Sequence, residues 1–519
     1  MQVTLGLRRA AAGFAGRASV IEGSTRYVWR ETEQRVARAA SMLRRIGMRD
    51  GDRVAILAQN GFRYLELYYA IPWAGGIVMP VNTRLSAAEV AAQLADAEAS
   101  ILVVDDALAA LLPALAGRVP TITSVISIGA TPVATAGALQ YEALMAEADP
   151  IPDSSAGGDE IYGLFYTGGT TGASKGVMLT HDNICANAYN HAVCFQYRGD
   201  DVYLHAAPMF HLADSSSTFA VTTLGATHTF LPAFTPDGWA CVVEAQRVTR
   251  TLLVPTMINA IVNSPQAIGR DLASLRQIAY GGSPIAPTVL AAAQRALPCE
   301  FMQGYGMTET SPLLTTLPAA DHVVGAPTSH RLRSAGIPVP QVELAVLDED
   351  GRRVGCGQIG EICARGANVM KGYWRKPEDT ARALRDGFMH TGDVGYVDED
   401  GYLYLVDRAK DMIVTGGENV YSVEVEAALA SHPAVLEAAV FGVPHDTLGE
   451  QVHAVIVVRE GAAVTADLCI AHCRTLIARY KCPRTMTIQT APLPKSGAGK
   501  ILKRELRKPF WDGLERQIH

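Results

Sequence analysis

No Cys-x-x-Cys pair occurs anywhere in the 519 residues. The nine cysteines, at 185, 194, 241, 299, 356, 363, 469, 473 and 482, are odd in number and irregular in spacing. That argues against a disulfide framework and against zinc, and it fits a reducing cytoplasm. Cys469 and Cys473, four apart on an expected helix, read as small apolar core residues. A dense stripe of Lys and Arg is also missing, and with a net charge of -7 nucleic acid is an unfavoured partner. No apolar run reaches membrane-spanning length. One of the longest, Tyr68 to Val81, is interrupted by Pro72 and by Gly75-Gly76. Peripheral membrane contact and homo-oligomer formation stay open. No internal repeat is visible. A Walker loop, Gly, four residues, then Gly-Lys-Ser/Thr, is not matched in the chain's most glycine-rich loop. The dinucleotide pattern Gly-x-Gly-x-x-Gly runs from Gly355 to Gly360, but the strand-like Glu361-Ile362-Cys363 follows where a helix is required, so it reads as a turn.

What is present is an ordinary globular composition, 49% hydrophobic and 19% charged, in a chain too long for one core. Leu5 to Ile21 holds three arginines and no acid. It is read as a first amphipathic helix, with a mitochondrial presequence as the alternative. From residue 27 to 130 strands (53–57, 76–80, 101–104) alternate with helices (31–46, 87–94), the rhythm of a doubly wound α/β sheet. Residues 131–158, rich in Ala, Pro, Gly and Ser, read as a linker. The rhythm resumes with strands at 251–254, 275–280 and 300–303 and a helix at 286–297. After Asp407 the pattern becomes a compact α+β unit of about one hundred residues, a common small-domain size. The expected architecture is a large N-terminal domain of mixed sheets, 1–409, and a small mobile α+β lid, 410–519.

Chemistry concentrates in a few stretches. Tyr166 to Gly176 reads Tyr-Thr-Gly-Gly-Thr-Thr-Gly-Ala-Ser-Lys-Gly. The apolar strand 161–165 empties into it, and Thr167, Gly168, Gly169, Thr170, Thr171, Gly172 and Lys175 offer amides, hydroxyls and one ammonium to a polyphosphate. Gln303-Gly304-Tyr305-Gly306-Met307-Thr308-Glu309 suits a nucleotide: the glycines admit a ligand close to the backbone, Tyr305 can stack on a purine, Thr308 can donate to phosphate, and Glu309 can hold magnesium. His205 and His211 are six apart, which suits no common zinc spacing. His211 is as well explained by packing as by a site. Thr391-Gly392-Asp393, Gly416-Gly417 and the basic 494–501 loop are, taken alone, turns.

These stretches resemble, in order and spacing, the adenylate-forming superfamily of acyl-CoA synthetases, adenylation domains and luciferases, over almost the whole chain. Gly168 stands where that family often has serine, and Ser174 where it often has proline; the second change is expected to loosen the loop. The resemblance implies that Gly281, Gly282, Ser283 and Pro284 run beside adenine, and that Asp393 accepts from the ribose diol while Arg408 contacts ribose and phosphate. It implies that Lys410 is the hinge, that Gly416, Gly417 and Glu418 line a pantetheine tunnel, that His211 lies near the thioester tunnel, and that Lys500 reaches the carboxylate and α-phosphate. The implied activity is an ATP-dependent acyl-CoA ligase using Mg²⁺ and coenzyme A. Its acid is a medium- or long-chain fatty acid or an aryl-alkenoic acid, with Ser215-Ser216-Ser217 leaving room for it. Transfer to a carrier-protein thiol, an oxygenase step as in luciferases, and a non-catalytic nucleotide or acyl binder are the alternatives.

Overall fold

The computed structural model describes residues 1–129, 137–167, 174–283, 285–408, 411–415, 418–445, 447–495 and 501–511. Gly168, Gly169, Thr170, Thr171, Gly172, Pro284, Lys410, Gly416, Gly417 and Lys500 lie outside the described residues, and Arg408 and Glu418 are described in their backbone alone. By compactness the described chain forms two units. The first holds residues up to 344 and 364–389; the second holds 345–363 and the chain from 390 onward.

The first unit is built on two largely parallel sheets. In the nine-stranded sheet Glu300–Gly306, Gln277–Gly281, Arg250–Leu253, Val202–His205, Thr227–Phe230 and Ala18–Glu22 run parallel in that order. Leu313–Leu317 and Ile337–Pro338 lie antiparallel at one edge and Thr25–Val28 at the other. In the eight-stranded sheet Ile161–Thr167, Ile77–Pro80, Arg53–Leu57, Ile101–Val104, Ser124–Ser127 and Leu139–Gln140 are parallel. Lys175–Thr180 and Gly372–Tyr373 close that sheet antiparallel. Val54 to Leu57 and the strand 101–104 are apolar throughout because both faces are covered. Val54, Ile56, Ile101 and Val103 join the large core, while Ala55, Leu57, Leu102 and Val104 join a second one with Val90 and Leu94 of the helix Ala87–Asp96.

The helices Phe62–Trp73 and Leu212–Thr223 are buried on nearly every side. The second is polar, so each polar group needs a partner. Asp214 lies 2.6 Å from His205 Nδ1, His205 Nε2 is 3.0 Å from His228 Nδ1, and His228 Nε2 meets Thr222 Oγ1 at 3.1 Å. Ser216 meets His191 Nε2 at 3.2 Å and Ser217 meets the Tyr197 hydroxyl at 3.1 Å. The Ser215-Ser216-Ser217 run is buried, with all three residues at most 1% exposed.

Three sequence expectations change. The first helix is Thr4–Gly13, with Leu7 fully buried, and Ala18–Glu22 is a strand, because Gly13 and Gly16 end the helix and the β-branched Val20 and Ile21 pair with a strand. The stretch read as a linker contains the strand Leu139–Gln140 and the helix Tyr141–Ala146, anchored by the buried Tyr141, whose hydroxyl donates to Glu66 at 3.0 Å. The strand Glu300–Gly306 runs on through Gly304, Tyr305 and Gly306 rather than ending at Gln303. The pattern at Gly355 to Gly360 is followed by the strand Gly360–Gly366, as a turn requires.

In the second unit Glu418–Val420, Ile413–Thr415, Gly449–Val458 and Val435–His445 form a sheet, with Thr485–Gln489 parallel to Gly449–Val458. The helices Ser422–Ala430 and Ala466–Leu476 cover it, and Val425, Leu429, Cys469 and Cys473 fill the core between. No helix among the described residues is long and apolar enough to cross a membrane.

Burial holds His191 neutral and lowers its pKa to about 3. A histidine that titrates near 6.5 when unfolded binds a proton there that the folded site refuses, so stability falls as pH drops below 6.5 toward the folded value. At pH 5 the loss is about 2 kcal/mol for this residue, from roughly 1.4 kcal/mol per unit over the interval from 6.5. His191→Gln should show a shallower acid decline of the first unfolding transition by that amount between pH 7 and 5, read by urea unfolding at each pH.

Candidate functional site

The glycine-rich loop is held at its two ends by a β-ladder. Thr167 pairs with Lys175 across the antiparallel strands, with Tyr166 opposite Gly176 and Phe165 opposite Val177. It is thus a hairpin loop, and the helix His181–Cys194 follows only after the strand Lys175–Thr180. Ser174 does not leave the base slack: its hydroxyl donates to Thr167 O and accepts from Gln93 Nε2 at 3.1 Å.

Lys175 projects from the end of this ladder. Its Nζ lies 3.0 Å from Asp379 Oδ1 and 4.9 Å from the centre of the Tyr373 ring. Tyr373 is placed by pairing with Val177 and by its backbone amide, which donates to Thr380 Oγ1 at 2.9 Å. Its hydroxyl donates to Glu309 Oε1 at 2.9 Å. Burial and the neighbouring Glu309 carboxylate push the Tyr373 hydroxyl up, so it stays protonated and donates at any ordinary pH. The Arg382 guanidinium and the ammonium of Lys175 hold Asp379 down, and therefore ionised. The structure thus brings Lys175 and Glu309 together, with Tyr373 between them.

Glu309 itself is buried, in a single turn at Thr308–Thr310 that follows the strand Glu300–Gly306. Thr310 Oγ1 closes that turn with bonds to Met307 O and Pro312 O, and the Met307 amide donates to the same hydroxyl. Asn368, fully buried, donates to Thr310 O at 2.8 Å and Leu313 O at 2.9 Å. A carboxylate on such a fixed turn fits a hard cation such as Mg²⁺. Beside it Gly281 pairs with Gly304, and a Cβ on Gly281 would sit 2.5 Å from Gly304 O. A Cβ on Gly306 would sit 1.7 Å from Pro312 O. These glycines let backbones meet, which is a packing requirement as much as access for a ligand. Gly282 follows with φ +80°, leading the chain out of the sheet to Ser283. His211 precedes the helix Leu212–Thr223 with its ring 4.5 Å from that of Phe210.

In the second unit Asp393 stands opposite Arg408 in the ladder between Phe388–Val397 and Leu403–Arg408. The turn before it is pinned. Thr391 Oγ1 donates to Ile362 O at 2.7 Å and accepts from the Asp393 amide at 3.1 Å. Glu361 accepts from the Gly392 amide at 3.1 Å and lies 2.7 Å from His390 Nδ1. The ligand atoms of Glu361, Cys363 and His390 lie within 4.8 Å of one another, a grouping that could take a metal ion, but the contacts of His390 Nδ1 with Glu361 and, at 3.3 Å, with Cys363 Sγ already account for their approach. Tyr373, Asp379, Asn368 and Glu361 were not identified from sequence. Tyr373 stands in Gly372-Tyr373-Trp374, a turn-like stretch with no charge or spacing to mark it.

The AMP-binding enzyme family matches residues 7–374, and its C-terminal domain matches residues 424–500. The chain belongs to the AMP-binding enzyme family. It lies on the acyl-CoA synthetase branch. A feruloyl-CoA synthase of an Amycolatopsis species is 41% identical over 95% of this chain and 96% of that one. A long-chain-fatty-acid–CoA ligase of Thermus thermophilus is 36% identical over 97% and 94%. Among solved structures, ATP-bound MatB from Rhodopseudomonas palustris superposes with a TM-score of 0.88 at 31% identity, covering 99% of each chain. For this AMP-binding enzyme the backbone contact at Gly281 gives a direct test. Gly281→Ala should separate the two strand ends and weaken ATP binding about tenfold or more, with about 1–3 kcal/mol of lost stability from overpacking. Calorimetric titration with ATP and urea unfolding measure the two effects.

Proposed function

We propose that this protein converts an aryl-alkenoic acid to its coenzyme A thioester by way of an acyl-adenylate. It is an AMP-forming acid–thiol ligase. The observation that carries the site assignment is the convergence of Lys175, Tyr373 and Glu309 in the first unit. Thr167, Lys175 and the loop 168–172 bind the β- and γ-phosphates. Gly281, Gly282, Ser283 and Pro284, with Gln303 to Gly306 and Met307, line the adenosine, and Thr308 donates to the α-phosphate. Glu309 would hold Mg²⁺, which neutralises charge on the phosphate oxygens when bound. Asp393 and Arg408 take the ribose. The acid's carboxylate attacks the α-phosphorus and pyrophosphate leaves, with no protein nucleophile; catalysis is electrostatic stabilisation of the phosphoryl oxygens. The lid, residues 410–519, turns about Lys410. Lys500 serves the first half-reaction, and Gly416, Gly417 and Glu418 admit the thiol in the second. His211 borders the acyl pocket. The aryl-alkenoic assignment is supported by the 41% identity to a feruloyl-CoA synthase, above the 36% to the Thermus fatty-acid ligase. A cytoplasmic location is supported by nine free cysteines.

A pyrophosphate-release screen over cinnamic-type acids and C8–C18 fatty acids tests the reading, with coenzyme A and a carrier protein as rival acceptors. Turnover of a cinnamic-type acid with free coenzyme A is the expected result. Thioester formed on the carrier alone, or no pyrophosphate with any acid, would refute it. Lys500→Ala should abolish acid-dependent ATP–pyrophosphate exchange yet retain at least half of the rate of thioester formation from supplied acyl-AMP. Equal loss of both half-reactions would contradict the role given to the lysine.

A further inference from the structure

Tyr373 touches both charged groups of the phosphate site and belongs to neither motif. Its hydroxyl is 2.9 Å from Glu309 Oε1, and its ring lies 4.9 Å from the Lys175 ammonium. The residue is 8% exposed and fixed at its backbone from two sides, by the ladder to Val177 and by the hydroxyl of Thr380. The segment around it is tied to the same turn a second time, since the Met370 amide donates to Glu309 O at 2.8 Å. Glu309 is thus held at both its main chain and its side chain by residues 370–373.

We propose that Tyr373 is a positioning residue for the nucleotide-bound metal: its hydroxyl sets the rotamer of the Glu309 carboxylate, and its ring seats Lys175 alongside. This rests on the reading of Glu309 as the Mg²⁺ carboxylate. A glutamate has three rotatable bonds, and a donor on one oxygen removes most of that freedom before the ligand arrives. Outer partners of this kind orient the ligating atom, and their loss weakens metal affinity 10–100-fold in well-studied sites. The ring supplies the second part. An ammonium over an aromatic face is attracted by the ring quadrupole, so Lys175 rests between the ring and Asp379.

The two parts separate by substitution. Tyr373→Phe keeps the ring and removes the donor; Tyr373→Leu removes both. Calorimetry on the full-length protein without acid or coenzyme A, with ATP in excess Mg²⁺ and with ATP in EDTA, reads the metal's contribution without turnover. Tyr373→Phe should weaken MgATP binding about tenfold and leave metal-free ATP within twofold. Tyr373→Leu should weaken both. Thermal midpoints for each variant identify any that is unfolded, and Glu309→Gln in the same titrations tests the parent reading. If Glu309→Gln leaves MgATP binding unchanged, the carboxylate is not the metal's and the parent reading fails. If Glu309→Gln weakens it and Tyr373→Phe does not, or if Tyr373→Phe weakens both forms of ATP equally, the positioning role is overturned.

Discussion

The ladder between Ile161–Thr167 and Lys175–Thr180 is the constraint on which the first unit's site depends. Its register places Thr167 opposite Lys175 and so fixes where the glycine-rich loop begins and ends. The outer edge of the second strand then pairs with Gly372–Tyr373, placing Tyr373 opposite Val177. From Tyr373 the chain of contacts reaches Glu309. A slip of one residue in either pairing would turn every side chain to the opposite face. Lys175 and Tyr373 would then no longer share a side, and Glu309 would lose its donor. The two ends of the glycine-rich stretch are thus fixed by paired strands.

Much of the framework was readable because parallel strands buried on both faces appear as short unbroken apolar runs. Val54 to Leu57 and Ile101 to Val104 are such runs, and the structure places them as adjacent parallel strands. The glycine-rich loop was readable by composition, and its neighbouring strand by hydrophobicity. What could not be read was the partner of each charged group. Tyr373 lies 64 positions from the carboxylate it contacts. Asn368 lies 58 from Thr310, whose carbonyl it satisfies. Such pairings follow from strand order, and strand order has no local signature. Ser174 shows the same limit at short range. Read as a missing proline it implies looseness, whereas its hydroxyl bonds across the base of the loop to Thr167. Likewise Ser215-Ser216-Ser217 suggests space, and only the positions of His191 and Tyr197 show the Ser216 and Ser217 hydroxyls to be engaged in the core.

The polar helix Leu212–Thr223 explains how such a core remains stable. Desolvation raises the pKa of Asp214 and lowers that of His228 well below the usual imidazole range, so burial opposes charge at both ends of the chain of contacts. The arrangement survives because the pairs share protons along a line, from the Tyr203 hydroxyl and Asp214 to His205, His228 and Thr222. Removing any member would leave a buried donor or acceptor unpaired, at roughly 1–3 kcal/mol. A helix fixed by several such bonds has a definite position, and His211, at its start, takes its place from it.

The two candidate ligand carboxylates are prepared in the same manner although they belong to separate units. Glu309 sits on a turn whose Thr310 carbonyl accepts from Asn368, and its own carboxylate accepts from Tyr373. Asp393 follows a turn held by Glu361 at Gly392 and by Thr391 at Ile362. At Glu309 the fixing bonds come from Asn368 and Tyr373, outside the motif; at Asp393 they come from Thr391 within it and from Glu361 outside it. A reaction without a protein nucleophile gains its rate from charges already in place when the transition state forms. Side chains left to find their rotamers after binding would give up part of that gain as reorganisation. Residues outside the motifs, Tyr373 and Asn368 beside Glu309 and Glu361 beside Asp393, are therefore as much a part of the proposed site as the carboxylates they adjoin.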